Sequence, residues 1–315
     1  HISLLTGSWA RDVFQDADFI DELIVLEDRH RTFRGTLRQA KVLRDRGFQS
    51  TVIFPNSFHS ALLAHLAGIP TRIGFSGGGR SMFLSHSVEV PEWKDSKHES
   101  QLYIELVHRF LEAIGLTEVD STVGEPSLTV SAERLRQARL LLSEAGVDLD
   151  KPVVALGVGS QNSRAKRWQS SGFAKLADML SDGLGASVVI LGSAAEKDVA
   201  DEVMDSAESM PINLAGITGL SEATAIIAAA DLYIGNDMGL THISPAVGTE
   251  TIAIFGPTND VATSPLSVRA SVLRKSVDCS PCMLRDCPID HRCMTQITAE
   301  EIFETARIKI GGSRA

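Results

Sequence analysis

The chain has 315 residues, 43% of them hydrophobic, enough for two cores of roughly 150 residues each. A formal net charge of -10 excludes a general binder of the nucleic-acid backbone, which needs a basic surface, so no nucleic-acid partner is expected. No apolar run reaches the roughly 20 residues that span a bilayer, and the first residues show neither a basic leader nor a small-residue cleavage site, so a soluble, cytoplasmic protein is expected.

Short apolar runs alternate with longer segments of helical period, the pattern of parallel sheets covered by helices on both faces. In the first half, residues 2–6, 23–26 and 51–54 read as strands. The run at 2–6 needs a pairing neighbour and no initiator methionine precedes His1, so a segment is expected to be missing ahead of it. Residues 33–46 read as a helix with Phe33, Leu37, Ala40 and Leu43 on its apolar face and a basic face opposite. A second helix is expected over 57–67, capped by Asn56 or Ser57 and closed by Gly68, with Pro70 preventing its continuation. The Gly77-Gly78-Gly79 run within 74–80 has too little side chain to pack and predicts a mobile loop of the kind that covers substrates. Helical period over 96–113 gives way to a polar stretch at 115–126, the expected connection between two domains, 1–130 and 131–315. The second half repeats the rhythm with strands at 153–156, 187–191, 232–234 and 251–255, which predicts a doubly wound sheet.

Gly157-Val158-Gly159-Ser160 follows one of these buried strands, and the loop runs on through Asn162, Ser163, Arg164 and Lys166 to Trp168. Small residues there let backbone amides approach a phosphate, although neither a three-glycine dinucleotide fingerprint nor a Walker loop is present. Loop composition alone favours a solvated strand-to-helix loop whose cations sit in water. A second strand delivers Asp237, Gly239 and His242 to the same sheet edge, where an isolated carboxylate could be a helix cap and an isolated imidazole an ordinary partly buried histidine. Gly256-Pro257-Thr258 ends a third strand, and three loops converging on one crevice favour a binding site.

These motifs, together with Phe54-Pro55-Asn56-Ser57-Phe58, Ala67-Gly68-Ile69-Pro70, Arg72, Gly74, Ala165-Lys166-Arg167-Trp168, Gly235-Asn236-Asp237-Met238-Gly239 and Cys279-Ser280-Pro281-Cys282, carry a resemblance. The chain resembles the ADP-heptose:lipopolysaccharide heptosyltransferases, glycosyltransferase family 9, over nearly its whole length, and most closely their heptosyltransferase II branch. The resemblance implies an α/β GT-B fold: two Rossmann-like doubly wound domains facing across a cleft, the first βα unit absent from this chain. The first domain would take a lipid A-core acceptor at the inner membrane surface and the second the nucleotide-sugar donor, ADP-heptose, with closure bringing them together. Lys166 would lie against the diphosphate and stabilise departing ADP, and Asp237 would orient heptose hydroxyls. Glu196, by its position after the second strand of its domain, would hold the ribose, or else it is a solvated first-turn glutamate. Gly239 would face the phosphates, with Ser160, Leu240, His242 and Met238 beside it, the methionine standing where the family uses a small hydroxyl residue. Asn56 and Arg72 complete the implied substrate-binding set.

The implied reaction is direct, inverting displacement at the anomeric carbon, with no cofactor and no metal required. Asp16-Ala17-Asp18 has the DxD form of metal-dependent glycosyltransferases but sits in a polar turn and is read as coincidence. The family's catalytic base would lie ahead of His1, and Asp12, Asp16 and Asp18 fall too late in the pattern to replace it. A transferase using another nucleotide sugar, or a binding-only homologue lacking the base, would share most of these motifs. Between Arg29 and Arg46 seven Lys or Arg residues face one acid, Asp45. That strip, with Arg34, Arg38 and Lys41, is either a contact for anionic lipid, placing the protein peripherally on the cytoplasmic face of the inner membrane, or a solvated helix face. Cys279, Cys282, Cys287 and Cys293 with His291 form either a soft-metal ligand set or a loop-shaping segment with reduced thiols.

Overall fold

The structure, a computed structural model, describes residues 1–26, 32–116 and 124–313. Arg29 and Arg31 of the basic strip, and residues 117–123 of the polar stretch, lie outside the described residues. The chain forms two compact units, a small one of Ser3–Ser8 and Leu23–Gly124, and a large one of His1–Ile2, Trp9–Glu22 and Glu125–Ala315.

The chain begins with β1 (Ser3–Gly7), α1 (Ser8–Phe14) and β2 (Glu22–Leu26), and β1 pairs with β2. Then follow α2 (Phe33–Asp45), β3 (Ser50–Ile53), α3 (Phe58–Leu66), β4 (Thr71–Phe75), β5 (His86–Val88) and α4 (Glu99–Ala113). Strands β3, β4 and β5 make a parallel sheet in that order. The sequence reading did not anticipate β4 and β5; β4 follows Pro70 directly and becomes a strand by pairing with β3 and β5. Gly74 is required there, because a Cβ would stand 2.6 Å from the Arg80 guanidinium. Arg80 is buried and donates to Pro55 O at 2.5 Å and Asn56 Oδ1 at 3.4 Å, so the glycine run closes onto an anchored arginine.

Helix α2 is rotated from its expected orientation. Phe33 and Leu37 are exposed, while Gly35, Thr36, Ala40 and Leu43 are buried. Thr32 caps the helix, its hydroxyl accepting from Gly35 N at 3.2 Å. The small residues on the buried face let α2 approach α3 closely, turning the bulky pair toward solvent alongside Arg34, Arg38 and Lys41. Ser57 caps α3 as expected.

The large unit continues with α5 (Ala132–Glu144), β6 (Val153–Gly157), α6 (Ser170–Leu184), β7 (Ser187–Leu191), α7 (Lys197–Ser206), β8 (Ile212–Asn213) and α8 (Leu220–Ala229). It ends with β9 (Leu232–Asn236), α9 (Gly239–Ala246), β10 (Glu250–Ile254), α10 (Asp260–Thr263), β11 (Ala270–Leu273), α11 (Arg292–Thr295) and α12 (Ala299–Ser313). The six strands lie in the order β11-β10-β9-β6-β7-β8, all parallel. Successive side chains alternate across the pleat, which sends them into two cores. Val154, Leu156, Val188, Ile190, Leu232 and Ile234 pack with α6, α7 and α12, while Val153, Ala155, Val189, Leu191 and Tyr233 pack with α5 and α8. Burial on both faces explains why these strands read as unbroken apolar runs. The chain leaves β6 toward β7 and β8, then returns to β9 on the other side. The β6–β9 boundary is thus a topological switch point, where loops diverge and leave a crevice.

Among the described residues no helix is long and apolar enough to cross a membrane.

Candidate functional site

Asn236, at the end of β9, organises the crevice. It is fully buried, its amide donating to Val158 O at 2.9 Å and Gly159 O at 3.0 Å while its carbonyl accepts from Trp168 N at 2.9 Å. One side chain therefore pins both ends of the loop that carries Lys166. Trp168 extends this anchor by donating from Nε1 to Ile297 O at 2.9 Å.

The pinned loop brings Lys166 Nζ to 2.7 Å from Asp237 Oδ2. Asp237 also accepts from Thr258 Oγ1 at 2.8 Å, and His242 Nε2 stands 3.6 Å from its other oxygen. Burial works to raise the Asp237 pKa. The neighbouring His242 ring, hydrogen bonds from Lys166 and Thr258 and the lysine's charge outweigh it, holding the carboxyl below its ordinary value. The result is a buried carboxylate clamped by a cation that keeps 28% of its side chain exposed. Helix α9 starts immediately afterwards, and Met238 at its N-cap position offers no side-chain cap, so the positive end of the helix opens at the same place.

Glu196 is buried beyond β7, its Oε2 accepting from Ser193 N at 2.9 Å and Ser193 Oγ at 2.8 Å. Its Oε1 is buried with no hydrogen-bond partner. The glycines of the β6 loop make room for side chains here. A Cβ on Gly159 would lie 2.2 Å from Glu196 Oε1, and one on Gly157 would lie 1.9 Å from the Tyr233 hydroxyl.

Ser160, Lys166, Glu196, Asp237, Met238, Gly239, Leu240 and His242 all line a single cavity of about 940 Å³ within the large unit. Asn56 and Arg72 belong to the small unit. Asn56 meets Arg80, and the Arg72 guanidinium is taken up by backbone carbonyls: Phe83 O at 2.7 Å, Pro70 O at 3.1 Å and Ile69 O.

The cysteine segment underpins the same crevice. Arg285 O accepts from Ala165 N at 2.9 Å, His291 Nε2 donates to Ala165 O at 2.6 Å, and Asp286 pairs with Arg164 at 2.6 Å. Pro257 O accepts from Cys282 N at 3.0 Å and Met283 N at 2.8 Å. Residues 279–293 thus brace both the Lys166 turn and the Thr258 turn. The four thiols line a separate small cavity of about 70 Å³, and Cys293 is pushed up to about 11 by burial and its neighbouring cysteines. Among the described residues no group of three or more histidine, cysteine, aspartate or glutamate side chains is arranged to hold a metal ion. Asp16 of the DxD pattern is engaged elsewhere, accepting from Arg134 and from Ser131 N, both at 2.8 Å.

The sequence reading passed over Asn236 and Thr258 as site residues, although both stand inside motifs it used, because their roles depend on partners far along the chain. Trp9 and Asp12 also line the cavity, and nothing in their local sequence signals it.

A six-stranded parallel sheet with a polar cavity at its switch point places the large unit in the doubly wound α/β class, whose ligands bind in such a crevice. The family model of glycosyltransferase family 9 (heptosyltransferase) matches residues 36–292. Lipooligosaccharide heptosyltransferase 2 of Haemophilus influenzae is 29% identical over 286 residues, covering 87% of this chain and 80% of that protein. Lipopolysaccharide heptosyltransferase 2 of Escherichia coli is 28% identical over 279 residues, covering 87% and 79%. Among solved structures, the Escherichia coli ADP-heptose lps heptosyltransferase II superposes with a TM-score of 0.85 at 25% identity, over 100% of this chain and 90% of that one. A family 9 glycosyltransferase from Veillonella parvula gives 0.85 at 22% identity, over 98% and 88%. This chain belongs to glycosyltransferase family 9: it is a transferase, and its two α/β units are of the GT-B class.

Proposed function

We propose that the large unit binds ADP-heptose and that the protein transfers the heptose, with inversion, to the inner core of lipopolysaccharide. The observation that carries this reading is the pairing of Lys166 with Asp237 at 2.7 Å beside the uncapped start of α9. A helix start and a lysine suit a diphosphate, and a carboxylate held ionised suits sugar hydroxyls.

In this scheme the donor's diphosphate meets Lys166 and the first amides of α9, and the orphaned Glu196 Oε1 accepts from a ribose hydroxyl. As the acceptor hydroxyl gives its proton to a general base and its oxygen bonds to the anomeric carbon, the bond to the phosphate oxygen breaks and negative charge grows on the leaving diphosphate. Lys166 stabilises that charge without a metal ion. Asp237 orients the heptose and holds the Lys166 ammonium in place. The relatives named heptosyltransferase 2 support the sugar and the acceptor, while the cavity's own residues speak chiefly to the diphosphate and ribose.

The acceptor would be a lipid A-core at the cytoplasmic face of the inner membrane, met by the exposed face of α2. Phe33 and Leu37 are exposed there among Arg34, Arg38 and Lys41, an arrangement that suits an anionic bilayer surface better than a merely solvated helix, which has no use for exposed phenylalanine.

Turnover of ADP-heptose with a lipid A-core acceptor tests the assignment. Lys166→Ala and Asp237→Ala should each lower kcat/KM at least tenfold, about 1.4 kcal/mol of transition-state stabilisation. Unchanged kinetics in both would reject it. A thermal shift with a different nucleotide sugar but none with ADP-heptose would redirect the donor, and a shift without turnover would favour a binding-only role.

A further inference from the structure

Trp9 is 72% exposed, yet it lines the large unit's cavity together with Asp12, one helical turn further on. The turn that directly follows their helix is fastened in place by polar bonds. Asp16 pairs with Arg134 at 2.8 Å, both side chains mostly buried, and Gln15 Nε2 donates to Ser221 Oγ at 2.7 Å while Arg134 reaches Ser221 O at 2.7 Å. These bonds join that turn to the start of α8, so the wall carrying Trp9 adjoins residues 216–220.

We propose that Trp9 is the stacking platform for the nucleobase of the donor. Lys166 is the only lysine or arginine among the described residues lining the cavity, which fixes where a diphosphate can sit. Asp12 beside Trp9 repels phosphate, and Ile217 and Leu220 supply apolar surface, so this side of the cavity fits a flat, uncharged ring. An indole left open at a cavity wall gains most by covering its face with such a ring, and the bonds of Asp16 and Gln15 hold it there before the ligand arrives. The inference rests on reading the cavity as the donor site and adds a determinant of base recognition to it.

The test uses the full chain with ADP and with inorganic pyrophosphate, which lacks the base. ADP should quench tryptophan emission in the unsubstituted protein, and the quench should vanish in Trp9→Phe, since neither Trp93 nor Trp168 lines the cavity. By calorimetry Trp9→Ala should weaken ADP roughly tenfold, the scale of losing one base–aromatic stack. Trp9→Phe should stay within about threefold of the unsubstituted protein because it keeps an aromatic face. Pyrophosphate should bind all three proteins equally. ADP binding that ignores Trp9→Ala, or pyrophosphate binding that falls with it, overturns this inference alone. ADP failing to bind the unsubstituted chain overturns the donor reading as well.

Discussion

The two units differ in how completely their packing is closed. In the large unit both faces of the sheet are covered and the polar groups at the strand ends, Asn236, Asp237 and Glu196, are buried in defined bonds. The small unit has a three-stranded sheet and leaves Phe33, Leu37, Phe58 and Met82 exposed. Where packing is complete, a side chain can be held in one geometry before a ligand arrives, as a preorganised polar site requires. Where it is incomplete, apolar surface remains for a partner that is itself large and apolar.

The contrast can be tested from its rigid side first. Gly159→Ala drives a Cβ to within 2.2 Å of Glu196 Oε1 and 2.6 Å of its Cγ, so the buried glutamate must shift. It should cost about 1–3 kcal/mol of unfolding free energy, the range for overpacking, and should weaken ADP severalfold by displacing the glutamate. At Gly78 a Cβ meets nothing within 4 Å, and the φ of +55° alone sets the cost of Gly78→Ala, about 1 kcal/mol. Urea unfolding of both variants checks the ranking, and equal costs would break the comparison.

On the open side, Arg34→Glu with Arg38→Glu should lower affinity for anionic vesicles by about 30-fold or more, from roughly 1 kcal/mol per basic residue. The unfolding midpoint should stay put, since both side chains are exposed. Vesicle binding that survives the double change, or that does not weaken with salt, would leave α2 a solvated face.

The smallest effect concerns acid. The folded Asp237 carboxyl lies below its ordinary value of 3.8, so its ionisation adds stability that is fully present above that value and is lost as pH falls through the lower folded pKa. The stability difference between the unsubstituted protein and Asp237→Asn should therefore be constant from neutral pH down to about 4 and shrink below it. A difference that shrinks already between pH 5 and 7 would mean that the lysine clamp is not holding the carboxylate ionised.

Much of the large unit was legible in advance because its signals are local. The apolar runs at 153–156, 187–191, 232–234 and 251–255 became β6, β7, β9 and β10 with bounds shifted by at most two residues at an end. Strands β8 and β11 escaped notice because Ile212–Asn213 has two residues and Ala270–Leu273 is only partly buried, so neither shows the apolar run of a central strand. Helix α2 shows the opposite failure. Its helical period is correct, but the bulky Phe33 and Leu37 of the apolar stripe face solvent while Gly35 and Thr36 pack. Hydrophobicity alone ranks a bulky residue above a small one, whereas close helix packing can reverse that order.

By itself the sequence determined the alternation of strands and helices, the parallel doubly wound class of the large unit and the family, since these follow from periodicity and from short motifs at strand ends. Only the tertiary structure decided how those motifs act. Asn236 holds the Lys166 loop, residues 279–293 brace it, and residues 9–22, which precede the small unit's main segment, pack with the large unit and carry Trp9 and Asp12 to its cavity. The reason is physical: periodicity is set by neighbours within a turn or two, whereas these bonds join residues about 70 to more than 200 positions apart, and no local pattern encodes which distant group satisfies a buried donor.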